Sequence, residues 1–265
     1  MFRNLQIEWM KIKNYRVFQV FSVLYMLGIV LIVYIFYRVY ISFIGSFQES
    51  VTGVKGEGSD ALGLFSDSVL PYSVCFWTSF LLYLPGMVII NLFINEVNFK
   101  THRQNIIDGW KRETFIYTKI SLIACISLVI TIMNLIAMFT MSQVVGGSLS
   151  LELFKVLGLC YIQSFVYLMF ALLLATLFRR SGIAIIVFFV YGLILESLFM
   201  WLMHYIHPSL QYFLPLQVAD SLIPFIKLKE LYEHLPSQII MVISAIAFAG
   251  LYVYLTVRKY KYDDL

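Results

Sequence analysis

The sequence predicts an all-α integral membrane protein with six transmembrane helices, and three observations carry that prediction. Hydrophobic residues make up 61% of the 265 positions and charged residues only 13%, whereas soluble domains keep about a quarter charged. Mean hydropathy is accordingly high, at +0.85. Apolar runs recur at 17–37, 72–94, 120–141, 153–178, 183–203 and 238–257. Each is close to the roughly 20 residues a helix needs to cross about 30 Å of hydrocarbon. A β-barrel would instead show alternating segments of about ten residues, and none occurs. The third observation is charge placement. With both termini in the cytoplasm, segments 1–16, 95–119, 179–182 and 258–265 hold 14 of the 19 basic residues. The inverted orientation would translocate that majority, against the positive-inside rule. The chain therefore reads as one polytopic domain over 1–265, multi-pass in the cytoplasmic (inner) membrane. Its net charge of +4 records orientation rather than nucleic-acid binding.

In chain order, residues 1–16 come first. Phe2, Leu5, Trp9 and Ile12 recur at steps of three and four, with Arg3, Glu8, Lys11 and Lys13 on the other positions. That pattern predicts an amphipathic helix lying in the membrane interface. The first span follows, with no cleavage pattern after it. Residues 46–68 are rich in glycine and acid, which fits a loop rather than a folded module. The short run Arg179-Arg180-Ser181-Gly182 makes the fourth and fifth spans antiparallel neighbours. Residues 204–236 are too long for a turn and too apolar for a free loop. Pro208, Pro215, Pro224 and Pro236 interrupt them, so they predict short external helices or re-entrant pieces between spans five and six.

The catalytic vocabulary is thin. No Gly-x-x-x-x-Gly-Lys-Ser/Thr phosphate loop is present, because the glycines at 53–58 lack both the lysine and the following helix. The chain should hold no cofactor. His204 and His207 could share a helix face, but Pro208 follows at once and no third ligand is near, so a metal site is not expected. Cys75, Cys125 and Cys160 all lie in apolar spans without a Cys-x-x-Cys pair, and read as packing residues. Glu196 is the one acid well inside a span. An intramembrane carboxylate is costly, which makes Glu196 a candidate pathway residue; the alternative is a hydrogen bond within the bundle.

Residues 95–119 carry the most information. Between two apolar runs stand Lys100, Arg103, Lys111, Arg112 and Lys119, three acids, and the amide pair Gln104 and Asn105. Phe99, Ile106, Ile107 and Trp110 add an apolar set at helical spacing. A short amphipathic helix on the cytoplasmic face fits this pattern. Anchored at each end to a span, it could dock on a soluble partner, with Arg103, Asp108, Lys111 and Arg112 fixing register by charge. Positive-inside topology alone would account for the basic residues, but not for the Gln-Asn-x-x-Asp-Gly core.

The six spans, the N-terminal helix and this polar helix between spans two and three resemble the permease subunit of type-2 ABC exporters. The likeness is most specific in an acid, a Thr, Gly-x-x-Arg and a Lys opening the third span, here Glu96, Thr101, Gly109, Arg112 and Lys119. The runs Arg103-Gln104-Asn105 and Phe178-Arg179-Arg180-Ser181-Gly182 are similar to small bacterial members. The resemblance implies that the island is a coupling helix docking on a separate ATPase, with Glu96, Thr101, Arg103, Gln104, Asp108, Gly109, Trp110 and Arg112 as coupling positions. It further implies half of a transport pathway, a second permease subunit (identical or not), surrounding lipid, and two ATPase subunits that bind ATP and Mg. The chain itself would then not be an enzyme. A lipid, peptide or other amphipathic substrate is expected. A non-transporting scaffold, immunity protein or sensor is the alternative, and a membrane-embedded enzyme the remoter one.

Overall fold

The computed structural model describes residues 2–50, 65–66, 69–99, 112–146, 151–225 and 234–262. Among them all regular structure is helical. Six helices are long and apolar enough to cross a membrane: Arg16–Ser42, Leu70–Asn98, Glu113–Val145, Glu152–Phe178, Ser181–Ile206 and Gln238–Tyr262. The chain is thus a multi-pass membrane protein by the length and composition of its helices.

A helix, α1, spans Phe2–Lys13, and α2 continues from Arg16 to Ser50. The second span is α3 (Leu70–Ser79), a tight 3-10 turn at Phe80–Leu82, and α4 (Tyr83–Asn98). Pro71 sits in the first turn of α3, where a missing N–H costs nothing. Pro85 explains the irregular turn: it has no N–H to offer the Leu81 carbonyl one helical turn earlier. The third span is α5 (Arg112–Val145) and the fourth α6 (Leu151–Phe178). Arg179 ends α6 in the left-handed region, with φ 51°. This is a turn geometry that stops a helix sharply, and the fifth span starts at Ser181. The predicted tight connection is therefore present, and α6 packs on the helix that follows it.

The fifth span is not one regular helix. It comprises α7 (Ser181–Val190), a π-helical turn (Tyr191–Leu195) and α8 (Glu196–Ile206). His207 is extended and precedes Pro208, which ends the helix. Two short pieces follow, a 3-10 turn at Leu210–Phe213 and α9 (Gln217–Asp220). They fold back into the bundle, burying Tyr212, Leu216, Val218, Ala219, Leu222 and Ile223. The sixth span is α10 (Gln238–Tyr262).

The fourth span is the hub, with 72% of its apolar window buried, against 17% for the first and fifth spans. Small residues permit this: Ser164, Ala171 and Ala175 are fully buried and let neighbouring backbones close in. Glycine serves the contact between the second and fifth spans. A Cβ on Gly86 would lie 2.5 Å from the Phe188 ring, and one on Gly192 would run into the Tyr83 hydroxyl.

Two expectations change. One residue of α1 departs from its predicted place: Glu8, put on the polar face, is wholly buried, while Ile12 of the apolar set is buried as expected. The helices also run past their hydropathic limits. The 34 residues of α5 span about 50 Å at ~1.5 Å per residue, well beyond a hydrocarbon core. Residues 112–119, expected in the polar connection, are therefore the first turns of the third span.

Candidate functional site

The end of the bundle where α4 leaves and α5 returns carries a buried ionic cluster. Glu96 sits on the last turn of α4, Lys119 on the second turn of α5, and Glu8 and Lys11 on α1. The Lys119 ammonium donates to Glu8 Oε2 and, at 2.7 Å, to Glu96 Oε1. Lys11 Nζ donates to Glu8 Oε1 at 3.1 Å and lies 4.0 Å from Glu96 Oε1. Two carboxylates thus face two ammoniums, and the charge balances. Close by, Asn95 Nδ2 donates to the Tyr15 hydroxyl at 2.6 Å.

Burial gives these contacts weight. Glu8 is 0% exposed and Lys119 4%, so the charges are shielded from water and salt in a way surface pairs are not. Burial pushes the Glu8 carboxyl up, but the adjacent Lys119 and Lys11 ammoniums outweigh it and hold its pKa below the ordinary value of 4.5. Lys119 also lies over the Phe115 ring, 5.2 Å from its centroid. Phe115 in turn stacks on Tyr260 of the sixth span at 5.3 Å. On the outside of the same region, Lys261 pairs with Glu113 at 2.7 Å. Both roots of residues 100–111 are therefore fixed, one through Glu96 and the other through Glu113, Phe115 and Lys119.

Of the coupling positions read from sequence, Glu96 takes part in this cluster. Thr101, Arg103, Gln104, Asp108, Gly109 and Trp110 lie outside the described residues. Arg112 is the first residue of α5, and Phe99, next to the Glu96 turn, is 77% exposed. Glu8 and Lys11 were not singled out from sequence. The available signal was a lone acid in an otherwise basic amphipathic helix. No family model and no curated protein matches this chain. The functional reading accordingly rests on its own residues.

Glu196 occupies a different setting, at the start of α8 beyond the π-helical turn. It is 3% exposed, and its Oε1 accepts the backbone N–H groups of Leu216 and Gln217, each at 2.7 Å. The carboxylate thereby holds the chain where it enters α9. Asp220, at the end of α9, accepts from the Tyr167 hydroxyl at 2.8 Å and from Gln163 Nε2 at 3.0 Å, both on the fourth span. Tyr252 of the sixth span donates to the Pro215 carbonyl at 2.9 Å. The short segment between spans five and six is thus sewn to spans four, five and six. His204 and His207 lie at the end of α8 and just after it, and no group of three or more His, Cys, Asp or Glu suited to a metal occurs among the described residues.

A cavity of about 290 Å³ opens between α1 and the first three spans, with Trp9, Phe18, Tyr25, Pro85, Ile126 and Met133 among its walls. Apolar side chains dominate it, so it fits hydrocarbon far better than a polar solute.

Proposed function

We propose that this chain is the permease subunit of an ATP-driven exporter of the ABC type, working with a second permease subunit and two separate ATPase subunits that supply ATP and Mg chemistry. The observation that carries this reading is the ionic cluster at the roots of residues 100–111. A polar segment transmits force only if both its ends are held. Glu96 and Lys119 hold each other across the gap, and Glu8 ties them to α1. Coupling would pass from Thr101, Arg103, Gln104, Asp108, Gly109, Trp110 and Arg112, facing the ATPase, into the second and third spans. In this reading α1 lies in the interface, both termini are cytoplasmic, and the pieces between spans five and six cover the outer mouth.

Glu196 enters the same reading as a pathway residue through the segment it holds. A change in its two backbone hydrogen bonds would free residues 216–217 at the outer mouth. The apolar cavity beside α1 favours an amphipathic substrate with a hydrocarbon part, such as a lipid or lipidated peptide. A scaffold, immunity protein or sensor would share the six spans but would have no use for a braced polar segment.

The test is co-purification. Extracted gently from its native membrane, the chain should bring with it an ATPase that carries a phosphate loop. Recovery of the chain alone, under conditions that preserve other membrane complexes, would favour the scaffold reading. Orientation is checked separately: cysteine at Ser59 should react with an impermeant reagent from outside, and cysteine at Asn105 only after permeabilisation.

A further inference from the structure

Cys75 of the second span and Cys160 of the fourth are far apart in sequence, yet their Sγ atoms lie 2.6 Å apart. Both are buried, at 1% and 4% exposure. In the structure both are free thiols, Cys160 Sγ donating to Cys75 Sγ, at a separation already well inside ordinary sulfur–sulfur contact and approaching the ~2.05 Å of a disulfide. A third sulfur, Met138 Sδ, lies 3.6 Å from Cys75 Sγ, which raises a soft-metal site as the competing use. Metal–thiolate bonds of about 2.3 Å would hold ligand sulfurs roughly 4 Å apart. The cysteine pair is too close to admit an ion between its members.

We propose that Cys75 and Cys160 form a disulfide bond that staples the second span to the fourth. At about 1.5 Å per residue, Cys75 lies ~8 Å in from the Leu70 end of α3 and Cys160 ~14 Å in from the Leu151 end of α6. Both those ends are remote from residues 99 and 112. The staple therefore fixes one end of the two helices and leaves the Glu96 end of α4 clear of it. The inference stands on this contact and not on the exporter reading; only the side of the membrane to which the bridge lies nearer, the outer one, follows from the orientation given above.

The oxidant is a disulfide, either a small molecule RSSR or a protein carrier. One cysteine thiolate attacks RSSR, forming a mixed disulfide and releasing RSH. The second thiolate displaces the remaining RS group, which leaves as a second RSH. Two protein thiols are oxidised and one disulfide is reduced, with the two thiol protons carried off on the products. Because both sulfurs are enclosed, exchange takes place while the spans are still assembling. Once packed, the bridge is shielded from reductant.

The experiment uses the full chain in its own membrane. Cells are quenched with permeant N-ethylmaleimide at harvest, and the membranes are dissolved in denaturant containing the same reagent. The chain is then digested without reductant and its peptides weighed. The expected result is alkylation of Cys125 alone, with the Cys75 and Cys160 peptides joined and lighter by two hydrogens until reductant separates them. Alkylation of both Cys75 and Cys160 in the quenched sample would overturn the proposal. A Cys125→Ser chain should keep the joined peptide, and its loss there would also count against the pair. In folded, detergent-dissolved protein the bridge should survive a hydrophilic reductant that cleaves it after denaturation. Equal cleavage in both states would contradict a staple enclosed between the spans.

Discussion

Glu8 and Glu196 are both buried carboxylates, but they are kept by opposite means. Glu8, at the end of the bundle that leads into residues 100–111, is held by two ammoniums, one from α1 and one from α5. Glu196, on the fifth span, is held by backbone N–H groups, and its neighbour Asp220 by a tyrosine and an amide. The contrast teaches where charge is used as a joint. In the first region every charge has a partner on another element, so removing Lys119 leaves the buried Glu8 short of counter-charge in low dielectric. In the second, neutral donors hold a short backbone segment, so the interaction depends on geometry and tolerates a neutral acceptor of the same shape.

The largest expected effect follows from breaking the ionic joint. Lys119→Met leaves Glu8 and Glu96 sharing only the partly exposed Lys11 ammonium, and loss of one partner from a buried pair costs about 3–5 kcal/mol. The thermal midpoint of the purified chain should fall by several degrees, and α1 should become sensitive to protease. Adding Glu8→Gln to Lys119→Met should recover part of the loss, since the stranded charge is gone. Recovery of nothing would mean the three groups are not energetically coupled.

The second region should respond less and with a different pattern. Glu196→Ala removes the acceptor of two N–H groups, a loss of about 1–3 kcal/mol at the usual net contribution of each bond. Glu196→Gln keeps a carbonyl in place and should cost roughly 1 kcal/mol while leaving expression and assembly intact. If Glu196 acts on the pathway, the Gln chain should nevertheless export more slowly than wild type. Equal export by both would assign Glu196 a structural role only.

Acid distinguishes the two regions with the smallest effect. The folded pKa of Glu8 lies below its ordinary value of 4.5. Its contribution to stability is thus complete above that value and fades as pH falls through the depressed folded pKa. Protease sensitivity of α1 should consequently hold steady from neutral pH down to about 4.5 and rise only below it. A rise near neutrality would place the joint elsewhere.

The six spans were legible because hydrocarbon length is written directly in hydropathy. Their limits were not. Hydropathy stops at the first polar turn, whereas α5 continues through Glu113 and Lys119 because those side chains find partners on α10 and α1. The place of Glu8 on α1 was misread for a related reason. A periodic pattern assigns charged residues to the outer face, and nothing local reveals that Glu8 meets a lysine 111 positions away. Glu196 was visible as an anomaly, but its partners are main-chain N–H groups that residue identity does not encode. The cysteines were read as packing because their spacing carries no motif; only the fold brings Cys75 and Cys160 together. Glu96 and Lys119 were named as the acid and lysine flanking an unusual polar island, but nothing in the sequence announced that they pair.

The central claim is that residues 100–111, braced by the Glu96–Lys119 joint, transmit the work of a separate ATPase. Replacing Asp108 and Arg112 by Ala tests it most directly, because the apolar length of the flanking spans is untouched and insertion should survive. Truncating charged groups at a desolvated interface costs on the order of 2–5 kcal/mol, a loss of well over tenfold in affinity. The account predicts normal amounts of the double variant in the membrane, with the ATPase lost from the pull-down or its ATP hydrolysis no longer matched to export. Wild-type binding, hydrolysis and export in that variant would contradict the account and reduce the polar segment to a topology signal.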